Sequence, residues 1–183
     1  MNTFASIAKK LTSVVLAALT VGSMASVAVA APGPEREIRQ WSNGVSGFDH
    51  VTYNSFVGTD VIGDERNFMQ GSIYQSGNTW SDPVNNVTND SEIEVKLYMH
   101  NNADTSLNDA PGNPGIARNV VARVSVPEGV AATKDITGYI SASNALPETV
   151  YDTLTINGIN GSVLDLEPVV GSGVLYENGS QIG

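Results

Sequence analysis

Residues 93–100 read Ile-Glu-Val-Lys-Leu-Tyr-Met-His, and this stretch decides the fold class. Apolar side chains occupy every second position, so a β-strand would place them all on one face. Comparable apolar rows run through residues 120–126, 136–142 and 150–156, the last of them interrupted at Asp152. Asn-Gly, Gly-Asn and Asp-Pro pairs between the rows are turn signals. The sequence predicts an all-β, immunoglobulin-like antiparallel sandwich of about seven or eight strands.

Weaker alternation predicts the remaining strands. The segments concerned are residues 49–57, 66–75, 162–166 and 169–177. After residue 31 no stretch keeps the 3.6-residue apolar period of a helix over three turns. A helical layer is therefore not expected.

The first thirty residues predict a signal peptide. Lys9 and Lys10 form a positive start, residues 11–21 are apolar, and Ala-Val-Ala at 28–30 is a small-residue cleavage signature. An apolar run of about 11 residues is too short to cross a hydrocarbon core of roughly 30 Å. We therefore expect cleavage after Ala30, no membrane span in the remaining chain, and a secreted or cell-surface location.

The chain that remains is acidic and contains no cysteine. The sequence has nine Lys and Arg and nineteen Asp and Glu. Two of the nine, Lys9 and Lys10, lie in the signal peptide, which leaves seven against nineteen and a net charge of −12. Such a surface repels nucleic acid and anionic lipid, so neither is expected as a partner. The lack of cysteine excludes disulfides, thiolate metal sites and thiol nucleophiles.

Residues 31–183 are predicted to form one domain with a short lead-in. Residues 31–48 are rich in Pro, Gly and charge and predict a linker or flexible N-terminal arm, so the sandwich is expected over residues 49–183. Near the end, Asn178-Gly179 predicts a tight turn, but few residues remain for the return strand. Three alternatives stay open: the chain is truncated, the tail frays, or a partner such as another surface protein completes the open edge.

Two segments carry a resemblance to a known class of domain. The strand at 93–99 ends in a polar Asn101-Asn102 turn, and residues 117–129 read Ala-Arg-Asn-Val-Val-Ala-Arg-Val-Ser-Val-Pro-Glu-Gly. This pattern resembles the repeat-type immunoglobulin-like β-sandwich domain of uncharacterised bacterial secreted and cell-surface proteins. Gly-Asp-Glu-Arg-Asn-Phe at 63–68, and residues 138–145 together with Val-Tyr-Asp at 150–152, are similar to a subset of these proteins. The resemblance implies a sandwich at the cell envelope and no established activity.

One loop concentrates side-chain oxygens that suit calcium. Residues 101–109 read Asn-Asn-Ala-Asp-Thr-Ser-Leu-Asn-Asp, and calcium takes six to eight oxygen ligands. The candidate ligands are Asp104, Asn108 and Asp109, with Asp64 and Glu65 from a neighbouring loop. No EF-hand spacing is present, and Asn and Asp also fill ordinary loops because they bond their own backbone. No cofactor other than this candidate calcium is predicted.

Other candidate residues point to weaker hypotheses. His50 and His100 are the only histidines, and no Gly-x-Ser-x-Gly elbow accompanies them, so no catalytic residue is predicted. Lys96 falls on the polar face of its strand and is expected to be exposed. Trp80 lies beside a turn, where it would suit a sugar-stacking platform.

Together these features predict a non-enzymatic structural or adhesive module of the cell surface. The alternative is a carbohydrate-binding or calcium-dependent recognition domain, which would show clustered loop carboxylates or an exposed Trp80. An enzyme would need His50 or His100 in a cleft beside an acid.

Overall fold

A computed structural model describes residues 33–77 and 79–183. The predicted signal peptide, residues 1–30, lies outside the described residues. The described ranges contain two short 3-10 helices, Thr105–Asn108 and Ile159–Gly161, and no α-helix. Within these ranges no helix has the length and apolar character needed to cross a bilayer.

The strands are β1 Arg39–Gln40, β2 Phe56–Thr59, β3 Gly63–Asp64, β4 Met69–Ile73, β5 Val84–Val87, β6 Ile93–Leu97, β7 Val121–Ser125, β8 Val130–Ala131, β9 Thr133–Ser141, β10 Thr149–Gly158, β11 Leu164–Asp165, β12 Tyr176–Glu177 and β13 Ser180–Gln181.

The largest sheet has four strands in the order β5-β10-β9-β7. Strands β9 and β10 form a long antiparallel hairpin that pairs Thr149 with Ser141 at one end and Asn157 with Thr133 at the other. β7 pairs antiparallel with the outer side of β9, whereas β5 runs parallel to β10. Burial along β9 alternates strictly, as expected for a sheet with one covered face. The all-β prediction is confirmed.

A second layer, formed by the antiparallel pair β4 and β6, covers the inner face of the four-stranded sheet. The layers approach closely at two glycines, because a Cβ at Gly71 of β4 would lie 2.7 Å from Val84 and 2.9 Å from Leu154. On the opposite layer, a Cβ at Gly138 would meet the side chain of buried Met69. The arrangement is sandwich-like, with two sheets facing each other across a shared core.

The core between the layers is built from the apolar rows that the sequence predicts. Its fully buried side chains come from both layers and from the loops that close the ends. They include Tyr53, Phe68, Met69, Ile140, Val150, Leu154, Ile156 and Leu164. Burial of an aliphatic or aromatic side chain of this size stabilises the fold by about 1.5–3 kcal/mol. This core therefore holds the domain together without disulfides.

The segment predicted as a linker or flexible arm, residues 31–48, is bonded to the domain at several positions of its described part, residues 33–48. Gly33 forms a two-bond antiparallel bridge with Tyr151 of β10, and β1 pairs in parallel with β2. Phe48 is completely buried and pairs with Ala103. Polar composition alone indicates a linker, but these residues satisfy their backbone groups on existing edges and so extend the folded unit.

The last part of the chain lies outside the two main layers. β11 pairs with β8, and β12 and β13 form a hairpin around Asn178 and Gly179, as the turn signal predicts. Two further backbone hydrogen bonds lengthen this hairpin: Leu175 N donates to the Gly183 carbonyl, and Ile182 N donates to the Leu175 carbonyl. It belongs to a two-stranded sheet of its own.

Candidate functional site

A cluster of hydrogen-bonded polar side chains surrounds Glu65, directly after β3. Glu65 is 1% exposed, and its backbone N–H donates to the carbonyl of Phe56 at 3.0 Å. The chain beyond β6 supplies His100 and Asn102, which face the same carboxylate. Two segments that are 35 residues apart in sequence therefore meet at one buried acid.

The Glu65 carboxylate accepts from several donors. Oε1 lies 2.7 Å from His100 Nδ1, while Oε2 accepts from Asn102 Nδ2 at 2.9 Å and from Phe56 N at 3.2 Å. A buried carboxylate is stable only when it is paired and hydrogen-bonded, and these contacts supply both conditions. Burial and the nearby Glu65 charge both raise the pKa of the Tyr98 hydroxyl.

The Glu65 carboxylate indicates which histidine nitrogen carries a proton. A carboxylate only accepts hydrogen bonds, so the 2.7 Å contact between Glu65 Oε1 and His100 Nδ1 assigns a proton to Nδ1. Asn102 Nδ2 also lies 3.0 Å from Nδ1, but the bond that it donates goes to Glu65 Oε2. This leaves Nε2 on the side of the ring away from Glu65.

Two asparagines hold the loops around this cluster. Asn102 Oδ1 accepts from Ser55 N at 2.6 Å, and Asn54 Oδ1 accepts from His100 N at 2.8 Å. Asn54 also donates to the carbonyl of Tyr98 and adopts a left-handed φ of 49°. Asn tolerates this conformation better than most residues, which explains its place at the bend.

Charged side chains border the cluster on one side. Arg36 donates to Ser55 Oγ at 3.1 Å and to the Asn54 carbonyl at 2.8 Å. Burial, and then the neighbouring Arg66, lower the pKa of Arg36. Arg66 in turn binds both oxygens of Asp64, and this pairing lowers the pKa of the Asp64 carboxyl.

A second buried carboxylate, Asp152, joins the two layers. It occupies the inward row of β10, where its Oδ2 accepts from Met69 N of β4 at 2.8 Å. Its Oδ1 accepts from Thr153 N, also at 2.8 Å. Burial raises the pKa of Asp152 to about 6, although its bonds to backbone N–H groups oppose this shift. Asp152 thus connects the two sheets at the point where the apolar row is interrupted.

The five candidate calcium ligands are occupied by other contacts or dispersed. Asp104 caps the 3-10 helix by accepting from Ser106, and its Oδ2 accepts from Gly47 N at 3.1 Å. Asn108 and Asp109 lie at the end of the same helix. Asp64 is paired with Arg66, and Glu65 is buried against His100. In residues 33–77 and 79–183 no three acidic or histidine side chains are grouped so that they could hold a metal ion.

The remaining candidates are also placed by the structure. His50 lies 2.7 Å from the exposed carboxylate of Asp49, and this bond lowers the pKa of Asp49. Trp80 is half-buried, and the ammonium of exposed Lys96 lies 4.8 Å from the centre of its ring. His100 is therefore the histidine that lies beside a buried acid. In the part of the chain that the structure describes, no hydroxyl is hydrogen-bonded to either imidazole.

The Glu65–His100–Asn102 cluster was not predicted from the sequence. The available signal was indirect: residues 63–68 and 98–102 both lie in segments that carry the resemblance described above. Glu65 from the first segment contacts His100 and Asn102 from the second segment only in the folded structure. Comparison with protein-family models, with curated proteins and with solved structures finds no match.

Proposed function

We propose that this protein is a non-enzymatic structural or adhesive module of the cell envelope or the extracellular space, built on an immunoglobulin-like β-sandwich. The proposal combines the predicted signal peptide, the acidic composition and the all-β fold. It also fits the resemblance to domains of bacterial surface proteins.

The observation that carries the proposal is the distribution of exposed apolar side chains. Among the described residues, twelve large apolar side chains are exposed, and six of them fall between Val163 and Ile182. The most exposed is Val170, at 89%. Single exposed apolar residues are ordinary, whereas a contiguous exposed apolar patch is typical of an interaction surface, and we propose that these six side chains contribute to one. An adhesive module needs such a surface.

The buried charges support a structural role. Glu65 and Asp152 each accept from backbone N–H groups of another strand or layer. Lys134, which shares the inward row of β9, donates to the carbonyl of Gly129. The hydrogen bonds of these charged groups connect separate parts of the fold. We take this as support for a structural role of the buried charges rather than a catalytic one.

The immunoglobulin-like part of the proposal is supported by the antiparallel strands β7, β9 and β10 facing a second layer. Parallel pairing of β5 with β10 departs from a fully antiparallel sandwich. We therefore propose the class of architecture and not a particular strand order.

The experiment that tests the function is an adhesion assay on bacteria that export the full chain. Cells exporting the wild-type protein should adhere to one another or to a surface more than cells that carry an empty vector. Val174→Asp places a charge in the exposed apolar segment and should reduce adhesion severalfold. Val61→Asp is the matched control, because Val61 is 53% exposed and Val174 is 54% exposed. Wild-type protein on the cell surface without any adhesion would overturn the proposal.

A further inference from the structure

Among the strands of residues 33–77 and 79–183, β7 is an edge strand of the four-stranded sheet. It pairs with β9 on one side and, within the described residues, with no strand on the other. Its sequence, Val-Ala-Arg-Val-Ser, contains no proline or lysine that would block pairing. The guanidinium of Arg123 lies 4.2 Å from the centre of the Tyr139 ring, so it covers the sheet face and leaves the edge open. Unpaired N–H and C=O groups on such an edge are a template for another strand.

The C-terminal hairpin, defined here as residues 174–183, is the complementary element. It shares no sheet with the rest of the described chain, and Val174, Tyr176 and Ile182 are each more than half exposed. A two-stranded hairpin alone is marginally stable in water, whereas a third strand and an apolar contact stabilise it. The hairpin is therefore suited to adding to an existing sheet.

The charges of the two elements are opposite. Strand β7 contains Arg123 and no acidic residue, and Arg118 lies three residues before the strand. The hairpin contains Glu177 and no basic residue. Opposite charges favour contact between these two surfaces, while like charges disfavour hairpin against hairpin or edge against edge.

We propose that the protein assembles head to tail, with the C-terminal hairpin of one copy docking on the free β7 edge of a second copy. This rests on the proposed surface role and names the partner of its C-terminal segment. The donor surface, the hairpin, differs from the acceptor surface, the β7 edge. A pair of copies therefore still has one unused hairpin and one unused β7 edge. Such a heterologous contact repeats and produces chains of molecules.

A mixing experiment on the exported chain tests the proposal by sedimentation. The donor variant carries Val174→Asp and Tyr176→Asp, and the acceptor variant carries Arg118→Glu and Arg123→Glu. The wild-type mass should rise steadily with protein concentration, whereas each variant alone should remain monomeric. An equimolar mixture should form a dimer and nothing larger, since it holds one intact donor and one intact acceptor surface.

Controls separate loss of docking from loss of folding. Val61→Asp should associate like the wild-type protein. If the double arginine variant fails to fold by circular dichroism, Val121→Glu on the same edge replaces it, because Val121 is already exposed. A wild-type protein that stays monomeric at every concentration, or a mixture that yields no dimer, overturns the proposal. If the wild-type protein is monomeric but still promotes adhesion that Val174→Asp reduces, only the head-to-tail assembly is overturned. If the wild-type protein promotes no adhesion at all, the proposed function is overturned.

Discussion

The carboxylate of Glu65 lies 2.7 Å from Nδ1 of His100, although the two residues are 35 positions apart in the sequence. The acid is buried, whereas the imidazole is partly exposed. Asn102 and the backbone of Phe56 donate to the other oxygen of the same carboxylate. One side chain thereby connects the loop after β3, the start of β2 and the chain beyond β6.

Replacing Glu65 with Gln tests this role. The amide keeps the shape but loses the charge and one acceptor, so it places N–H groups against the donors of its neighbours. We expect Glu65→Gln to lower the free energy of unfolding by about 1–3 kcal/mol, the range for a lost bond to a buried charged group. Urea unfolding measures this change. Glu37→Gln, which breaks an exposed pair with Arg39, should cost less than about 1 kcal/mol, and equal costs would contradict the account.

Asp152 should make stability depend on pH in a defined direction. Burial raises its pKa from 3.8 to about 6, so the folded state holds the proton more tightly than the unfolded state. This contribution to stability is fully present below about pH 4 and is lost as the pH rises through about 6. A shift of two units corresponds to about 3 kcal/mol.

Asp152→Asn cannot ionise and therefore isolates this effect. We expect the stability of the variant relative to wild type to increase between pH 4 and pH 7, as followed by denaturant unfolding at several pH values. Asp60→Asn, at an exposed position, should give a profile parallel to that of the wild-type protein. A parallel profile for Asp152→Asn would show that the group does not titrate in this window.

The close approach of the two layers predicts a sharp cost for added volume. A methyl group at Gly71 would lie 2.7 Å from Val84 Cγ2 and 2.9 Å from Leu154 Cδ2, both in a packed core. We expect Gly71→Ala to destabilise the domain by about 1–3 kcal/mol, measured as a lower urea midpoint. Gly173→Ala has open space around it and should be neutral. Because Val84 is itself in the core, Val84→Ala has a cost of its own. If the clash is the cause, the double variant Gly71→Ala with Val84→Ala should cost less than the sum of the two single changes.

Calcium is expected to leave the melting temperature unchanged. Asp104 is bonded to Ser106 and Gly47, Asp64 to Arg66, and Glu65 to His100. Thermal unfolding in EDTA and then in excess calcium measures the effect. A hundredfold excess over the dissociation constant would stabilise a binding protein by about 2.7 kcal/mol. A clear upward shift would contradict this prediction and direct mutagenesis to Asp104, Asn108 and Asp109.

The sequence predicts the main sheet well because its strands alternate between buried and exposed faces. Ile136, Ile140 and Leu154 fall on the inward rows, as their spacing predicts. The same rows also hold Asp152 and Lys134, both buried. Hydrophobic alternation identifies the face of each residue, but not the bonds that let a charged group occupy it.

Strand β5 and the polar cluster could not be predicted from local sequence. β5 has Asn85 and Asn86 at its centre, and Asn86 has a φ of 60°, so it lacks the apolar alternation of a strand. It forms because β10 offers a parallel edge from a distant part of the chain. Glu65 and His100 likewise meet only after the layers assemble, so their proximity is a product of the fold.

Locating the protein tests whether this domain works outside the cell. The full chain is expressed in a bacterial host, and its N-terminus is sequenced from the medium and from intact cells treated with protease. We expect a mature chain that begins at Ala31 and is accessible from outside. An uncleaved chain that remains inside the cell and is protected from protease would contradict it.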